Sequence, residues 1–218
     1  MTPQELAAAA RTAVAAGAQD IHLHPKNRDG EDTLDPGAVA AALTAVRAVA
    51  PGIPVGVTTG AWTTPDPAKR ASQIRSWTVL PDHASVNWHE DGAATVARTL
   101  LDRGIGIEAG IYSGTRAAQR FLSWPESHRV LRILAEVTET SPQAAIHAAT
   151  ELLEELRSAT KSSILLHGED DAAWAILQMA ASLHLDMRIG LEDVLQLPDG
   201  TTAETNADLI HAALGIVQ

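Results

Sequence analysis

Asp20-Ile21-His22-Leu23-His24-Pro25-Lys26 is a short apolar and polar alternation closed by a proline. In an extended strand, residues two apart project from one face, so His22 and His24 point together while Ile21 and Leu23 point the other way. Read alone, the pair fits a packed polar strand end as well as it fits half of a metal site. What matters for the fold is that this segment is one of a series.

Six further segments of aliphatic and β-branched residues end in polar ones: Pro54–Thr59, Ala84–His89, Ile105–Glu108, Val130–Glu136, Ser163–Glu169 and Met187–Asp193. Helices are expected between them. Thr2-Pro3-Gln4-Glu5 has the form of a helix start, with Thr2 as N-cap, Pro3 at the first helical position and Glu5 able to complete a capping box. That helix runs through Ala7 to Ala16 and stops at Gly17. Asp35-Pro36, Asp66-Pro67 and Ser141-Pro142 repeat the device ahead of other Ala-containing segments.

Seven strands alternating with helices imply parallel βα units. An open doubly wound sheet concentrates its ligands at one switch point, whereas a (β/α)8 barrel carries site residues at the ends of many strands. Polar residues recur at nearly every strand end here, so the expected fold is an α/β (β/α)8 TIM barrel forming a single domain over residues 1–218. The chain opens directly on a helix, and the barrel's first strand is therefore expected to be missing.

Composition limits the function. The chain has 218 residues, 45% of them hydrophobic but only 3% aromatic, so the core must be built from Ala, Val, Ile and Leu. A formal net charge of −11 argues against a nucleic-acid partner, which needs clustered Lys and Arg. The absence of cysteine excludes disulfides, thiolate ligands and cysteine nucleophiles. No uninterrupted apolar run reaches membrane-spanning length, and the N-terminus lacks a basic region followed by an apolar one. A soluble, cytoplasmic protein is expected.

Several strand ends offer chemistry. In Arg188-Ile189-Gly190-Leu191-Glu192-Asp193, the residues Arg188, Gly190 and Glu192 share one strand parity, and an inward Arg and Glu would need charged partners. The plainer reading makes Asp193 a helix cap and Arg188 its surface partner. Thr58-Thr59-Gly60 ends its strand with hydroxyls and a glycine. Ser85, Asn87 and His89 share a strand face, which puts Asn87 and His89 at the mouth, and Glu108 ends a glycine-flanked segment. His167-Gly168-Glu169 fits a site-lining cluster as well as a helix-start turn. His83, His128, His147, His184 and His211 read as surface residues.

The order of these motifs resembles the β-keto acid cleavage enzymes, the family of 3-keto-5-aminohexanoate cleavage enzyme. The resemblance rests on Ala16-Gly17-Ala18 before His22-Leu23-His24, then Thr58-Thr59-Gly60, Ser85-Val86-Asn87, Gly106-Ile107-Glu108, Leu166-His167-Gly168, Arg188 to Asp193, and Pro198-Asp199-Gly200 with Asn206. It implies a barrel holding Zn²⁺ through His22, His24 and Glu192. It also implies condensation of a β-keto acid with acetyl-CoA, releasing acetoacetate and a new acyl-CoA. On this resemblance Asp193 is the general base, Arg188 orients it or an anionic group, and Thr58 donates to the developing oxyanion. Asn87, Glu108 and Lys26 would meet the substrate, and the protein would be a homo-oligomer. The chain departs from the family in its opening helix, in its length, and in Lys26, which stands where the family commonly has Arg. Two alternatives remain at this point: a metal-dependent amidohydrolase using His89, His167 and Asp193, and an inactive zinc-binding relative.

Overall fold

In a computed structural model that describes residues 1–217, the chain divides into two compact units, Met1–Glu108 and Ala109–Gln218. The first unit opens with α1 (Pro3–Ala16), followed by β1 (Ile21–Leu23), α2 (Pro36–Val49), β2 (Val55–Thr58), α3 (Pro67–Ser76), β3 (His83–Asn87) and α4 (Ala93–Asp102). The division falls within β4 (Gly106–Tyr112). The second unit continues with α5 (Ala117–Leu122), β5 (Arg132–Val137), α6 (Pro142–Ala159), β6 (Ile164–Gly168), α7 (Ala173–Ser182), β7 (Asp186–Met187) and α8 (Asn206–Val217). The strands follow one another in the sheet in chain order, β1 to β7, and each pair with a described register is parallel. This is a (β/α)8-type fold with seven strands among the described residues.

All four proline-marked helix starts form as the sequence predicts. Thr2 accepts from the Glu5 N–H while the Glu5 carboxylate accepts from the Thr2 N–H, and Asp35, Asp66 and Ser141 each cap the helix that follows with a proline in its first turn. Gly17 ends α1 at φ 117°, in the left-handed region where glycine avoids a Cβ clash. The helices bury small and aliphatic faces, such as Ala7, Ala10, Ala13 and Ala16 of α1 and Val39, Ala42, Leu43 and Val46 of α2. No helix among the described residues is long and apolar enough to cross a membrane.

Strand bounds depart from expectation in ways that matter for the site at three places. β3 starts at His83 and ends at Asn87, so His89 lies beyond it in an exposed turn and does not share its face with Ser85 and Asn87. β4 runs on to Tyr112, four residues past Glu108. β7 stops at Met187, because its pairing with β6 ends at Leu166↔Met187; Arg188 to Asp193 follow as a turn, and strand parity does not govern them.

Capping side chains are separable from the rest of the fold, so Asp35→Ala should lower stability by about 1 kcal/mol. Urea unfolding would show this as a lower midpoint with an unchanged slope.

Candidate active site

In the first unit, register builds a polar row across three strands. His22 is level with Gly56, and Gly56 with His83. Gly56 leaves room that the His83 imidazole fills: a Cβ there would stand 2.0 Å from His83 Cε1. His83 Nε2 bonds to Asp20 Oδ1 at 2.8 Å, and its Nδ1 lies 3.4 Å from Glu108 Oε2. The same Glu108 oxygen is 3.9 Å from His22 Nδ1. Burial pushes His83 toward the neutral form, but the hydrogen bonds and charges of Asp20 and Glu108 outweigh it and raise its pKa to about 9. His83, expected at the surface, is thus only 1% exposed. It is the first residue of β3 and not part of a loop, with a carboxylate on each side of its ring.

His24 follows β1 directly, its ring centroid 5.2 Å from that of His22 in an edge-on arrangement. Its Nδ1 faces Asp32 Oδ2 at 2.9 Å, so this nitrogen carries the proton and Nε2 is the one with a lone pair for a metal. A carboxylate behind a histidine is the usual support of a metal-ligating imidazole, fixing tautomer and ring orientation. Asp32 is held in turn by Lys26 Nζ and by Trp62 Nε1 at 2.9 Å. Partial burial raises its carboxyl, but the bonds from Lys26, Trp62 and His24 outweigh this and hold it below the ordinary range. The Trp62 indole packs over Gly60, where a Cβ would come within 2.0 Å of the ring, yet it is 55% exposed beside His24. Thr58 is buried at the end of β2 and accepts from the Gly60 N–H, and Asn87 Nδ2 donates to Glu90 Oε1 at 3.0 Å.

In the second unit, Glu136 of β5 and His167 of β6 are register partners and meet side chain to side chain through His167 Nδ1. His167 Nε2 stands 3.0 Å from Asp193 Oδ1, an ion-pair contact without the alignment of a well-formed hydrogen bond. Arg188 Nη2 reaches the same Asp193 oxygen at 3.3 Å and donates to Glu192 Oε2 at 2.5 Å. The row Glu136, His167, Asp193, Arg188, Glu192 therefore alternates in sign. Burial works against the imidazolium, yet Glu136 and Asp193 raise His167 to about 9. Burial likewise raises Asp193, but His167 and Arg188 outweigh it and hold its carboxyl below the usual range. Asp193 Oδ2 is buried and makes no hydrogen bond among the described residues.

The turn that presents these groups is fixed from behind. Ile189, Leu191 and Val194 pack with Ala173, Ala203 and Leu209, while Asn206 Oδ1 accepts from the Leu191 N–H at 2.8 Å. Apolar residues go into the core and Arg188 and Asp193 go to the polar row; Glu192 remains half exposed.

Of the residues expected from sequence, the first unit brings His22, His24 and Glu108 together with Lys26 close behind them, and the second brings Arg188, Glu192 and Asp193 together. Asp20, Asp32, Trp62, His83, Glu136 and His167 complete these networks. The reading from sequence had no signal for Asp32 or Trp62, which lie in loops, whereas Glu136 and His167 stood at strand ends. Both ring nitrogens of His167 face carboxylates, and His89 is exposed in a turn.

The chain belongs to the beta-keto acid cleavage enzyme family, which it matches over residues 1–218. It is therefore an enzyme-family member whose relatives act on β-keto acids. No curated protein matches it in sequence. Among solved structures it is similar to a type I 3-dehydroquinate dehydratase from Clostridium difficile carrying covalently modified comenic acid, at TM-score 0.58 and 11% identity, over 83% of this chain and 76% of that one. At that identity the likeness concerns the barrel fold alone.

His83 and His167 give the metal-free protein a defined pH dependence. A histidine whose pKa rises on folding from 6.5 to about 9 contributes stability that is complete below 6.5 and lost as pH climbs through 9. Urea unfolding should show stability falling across this window, with a shallower fall in His83→Gln.

Proposed function

We propose that this chain exchanges acyl groups between a β-keto acid and acetyl-CoA, with Zn²⁺ held by His22, His24 and Glu192 and the two units acting as one catalytic domain. Each of the three residues offers one donor atom of a type that zinc takes, two imidazole nitrogens and a carboxylate oxygen. The support that Asp32 gives His24 fits such a ligand. The observation that carries the reading is Asp193, a buried carboxylate kept ionised by His167 and Arg188 whose Oδ2 makes no hydrogen bond among the described residues.

When bound, the zinc ion supplies a Lewis acid for the keto acid's oxygens and sharpens the acidity of C2. Asp193 takes the C2 proton, and Arg188, touching the same carboxylate, keeps it oriented. Thr58 accepts from the Gly60 N–H, which leaves its own O–H to donate to the oxyanion that develops. The C2 carbanion equivalent attacks the acetyl-CoA carbonyl and CoA thiolate departs. That thiolate then adds to the original ketone carbon and breaks its bond to C2, giving the new acyl-CoA and the enolate of acetoacetate, which recovers the proton. Asn87 and Glu108 meet the substrate, and Lys26, with three N–H donors, serves both Asp32 and a substrate carboxylate. The same reading takes the enzyme to be a cytoplasmic homo-oligomer.

Zinc-loaded enzyme incubated with labelled acetyl-CoA and a panel of β-keto acids should form labelled acetoacetate with at least one of them; silence across the panel would overturn the reading in favour of an inactive zinc-binding relative. His22→Ala should abolish tight zinc binding, and Glu192→Gln and Asp32→Asn should weaken it, Asp32→Asn by about 10- to 100-fold. Competition with a chromogenic chelator measures all three.

A further inference from the structure

We propose that Glu136 and His167 form a buried positioning couple that fixes the Asp193 carboxylate by its Oδ1, leaving Oδ2 to act on the substrate. The inference rests on the reading of Asp193 as the base. Asp193 belongs to a turn, so no strand register sets its side chain; among the described residues its own backbone hydrogen bonds are an N–H donated to the Gly190 carbonyl and a carbonyl accepting from the Asp170 N–H. Arg188 makes a poor sole support, because its Nη2 is shared with Glu192. His167 differs on both counts. It sits inside β6, in register with Glu136 of β5, and the Glu136 carbonyl accepts from the Ser113 N–H at 2.8 Å, so the couple stands on rigid strands.

The two oxygens of Asp193 are treated unequally: Oδ1 meets His167 and Arg188, and Oδ2 is buried with no hydrogen bond among the described residues. Gly190 lies beside Oδ2, where even a Cβ would come no closer than 3.4 Å. A purely structural role would be filled more cheaply by an apolar pair, since buried charged networks seldom gain stability over one. Fixing one carboxylate oxygen so that the other keeps a constant direction is what proton transfer needs.

The test measures enzyme-catalysed C2–H/D exchange of a β-keto acid in D₂O by NMR without acyl-CoA, alongside kcat, KM and zinc content. His167→Asn should lower exchange and kcat about 100-fold, the cost of a misplaced catalytic group, with KM within about two-fold. Zinc content should not change. His167→Gln should recover part of the loss, because its amide nitrogen reaches the place of Nε2. Glu136→Gln keeps the shape of the pair and should lower exchange about ten-fold; it decides the matter if the His167 variants do not fold. Exchange within about two-fold of wild type in Glu136→Gln and any folded His167→Asn would overturn the couple. Asp193→Asn separates the two ideas. If it is inert while the other variants are unaffected, only the couple falls; if it exchanges at the wild-type rate, the base assignment falls and the couple with it.

Discussion

The interaction on which both units depend is a buried imidazole set between two carboxylates. His83 lies between Asp20 and Glu108, and His167 between Glu136 and Asp193. Burial alone would make both histidines neutral, and the flanking charges reverse that outcome, so each stays protonated up to a pH of about 9. Such a trio costs desolvation energy, and removing one member strands the others. The sheet accommodates it through register: Gly56 vacates a position for the His83 ring, and Glu136 and His167 are level on adjacent strands.

These trios stand behind the groups assigned to chemistry. Glu108 links His83 to the neighbourhood of His22, and His167 links Glu136 to Asp193. A third support, Asp32, comes from a loop and gathers His24, Lys26 and Trp62 on one carboxylate. On the proposed function, His24 and Asp193 owe their orientation to Asp32 and His167, which do not themselves need to touch the substrate. The Arg188–Asp193 turn adds a second principle: its apolar residues anchor it to the core while Arg188 and Asp193 enter the polar row.

The architecture was legible in the sequence because strand ends and helix starts carry local chemical marks. Seven polar-ended segments became seven strands, and four proline-marked caps became four helix N-termini. His22, His24, Glu192 and Asp193 could be named because they sit where such segments end. Their supports were harder to see. Asp32 and Trp62 meet His24 from loops 8 and 38 positions onward, and nothing in their spacing marks that contact. His83 read as a surface residue because it fell outside the expected Ala84–His89 strand, while its burial follows from a glycine on another strand. Arg188 to Asp193 escaped strand parity because β7 is only two residues long.

The central claim is that one histidine of β1, a second just after it and one carboxylate after β7 hold a zinc ion. X-ray absorption at the zinc edge of the purified, zinc-loaded enzyme tests it most directly, because imidazole rings give a distinct outer-shell signal that can be counted. The account predicts two imidazoles and a carboxylate oxygen among the zinc ligands, with the carboxylate contribution lost in Glu192→Gln. A third imidazole, or a spectrum unchanged by that substitution, would contradict it.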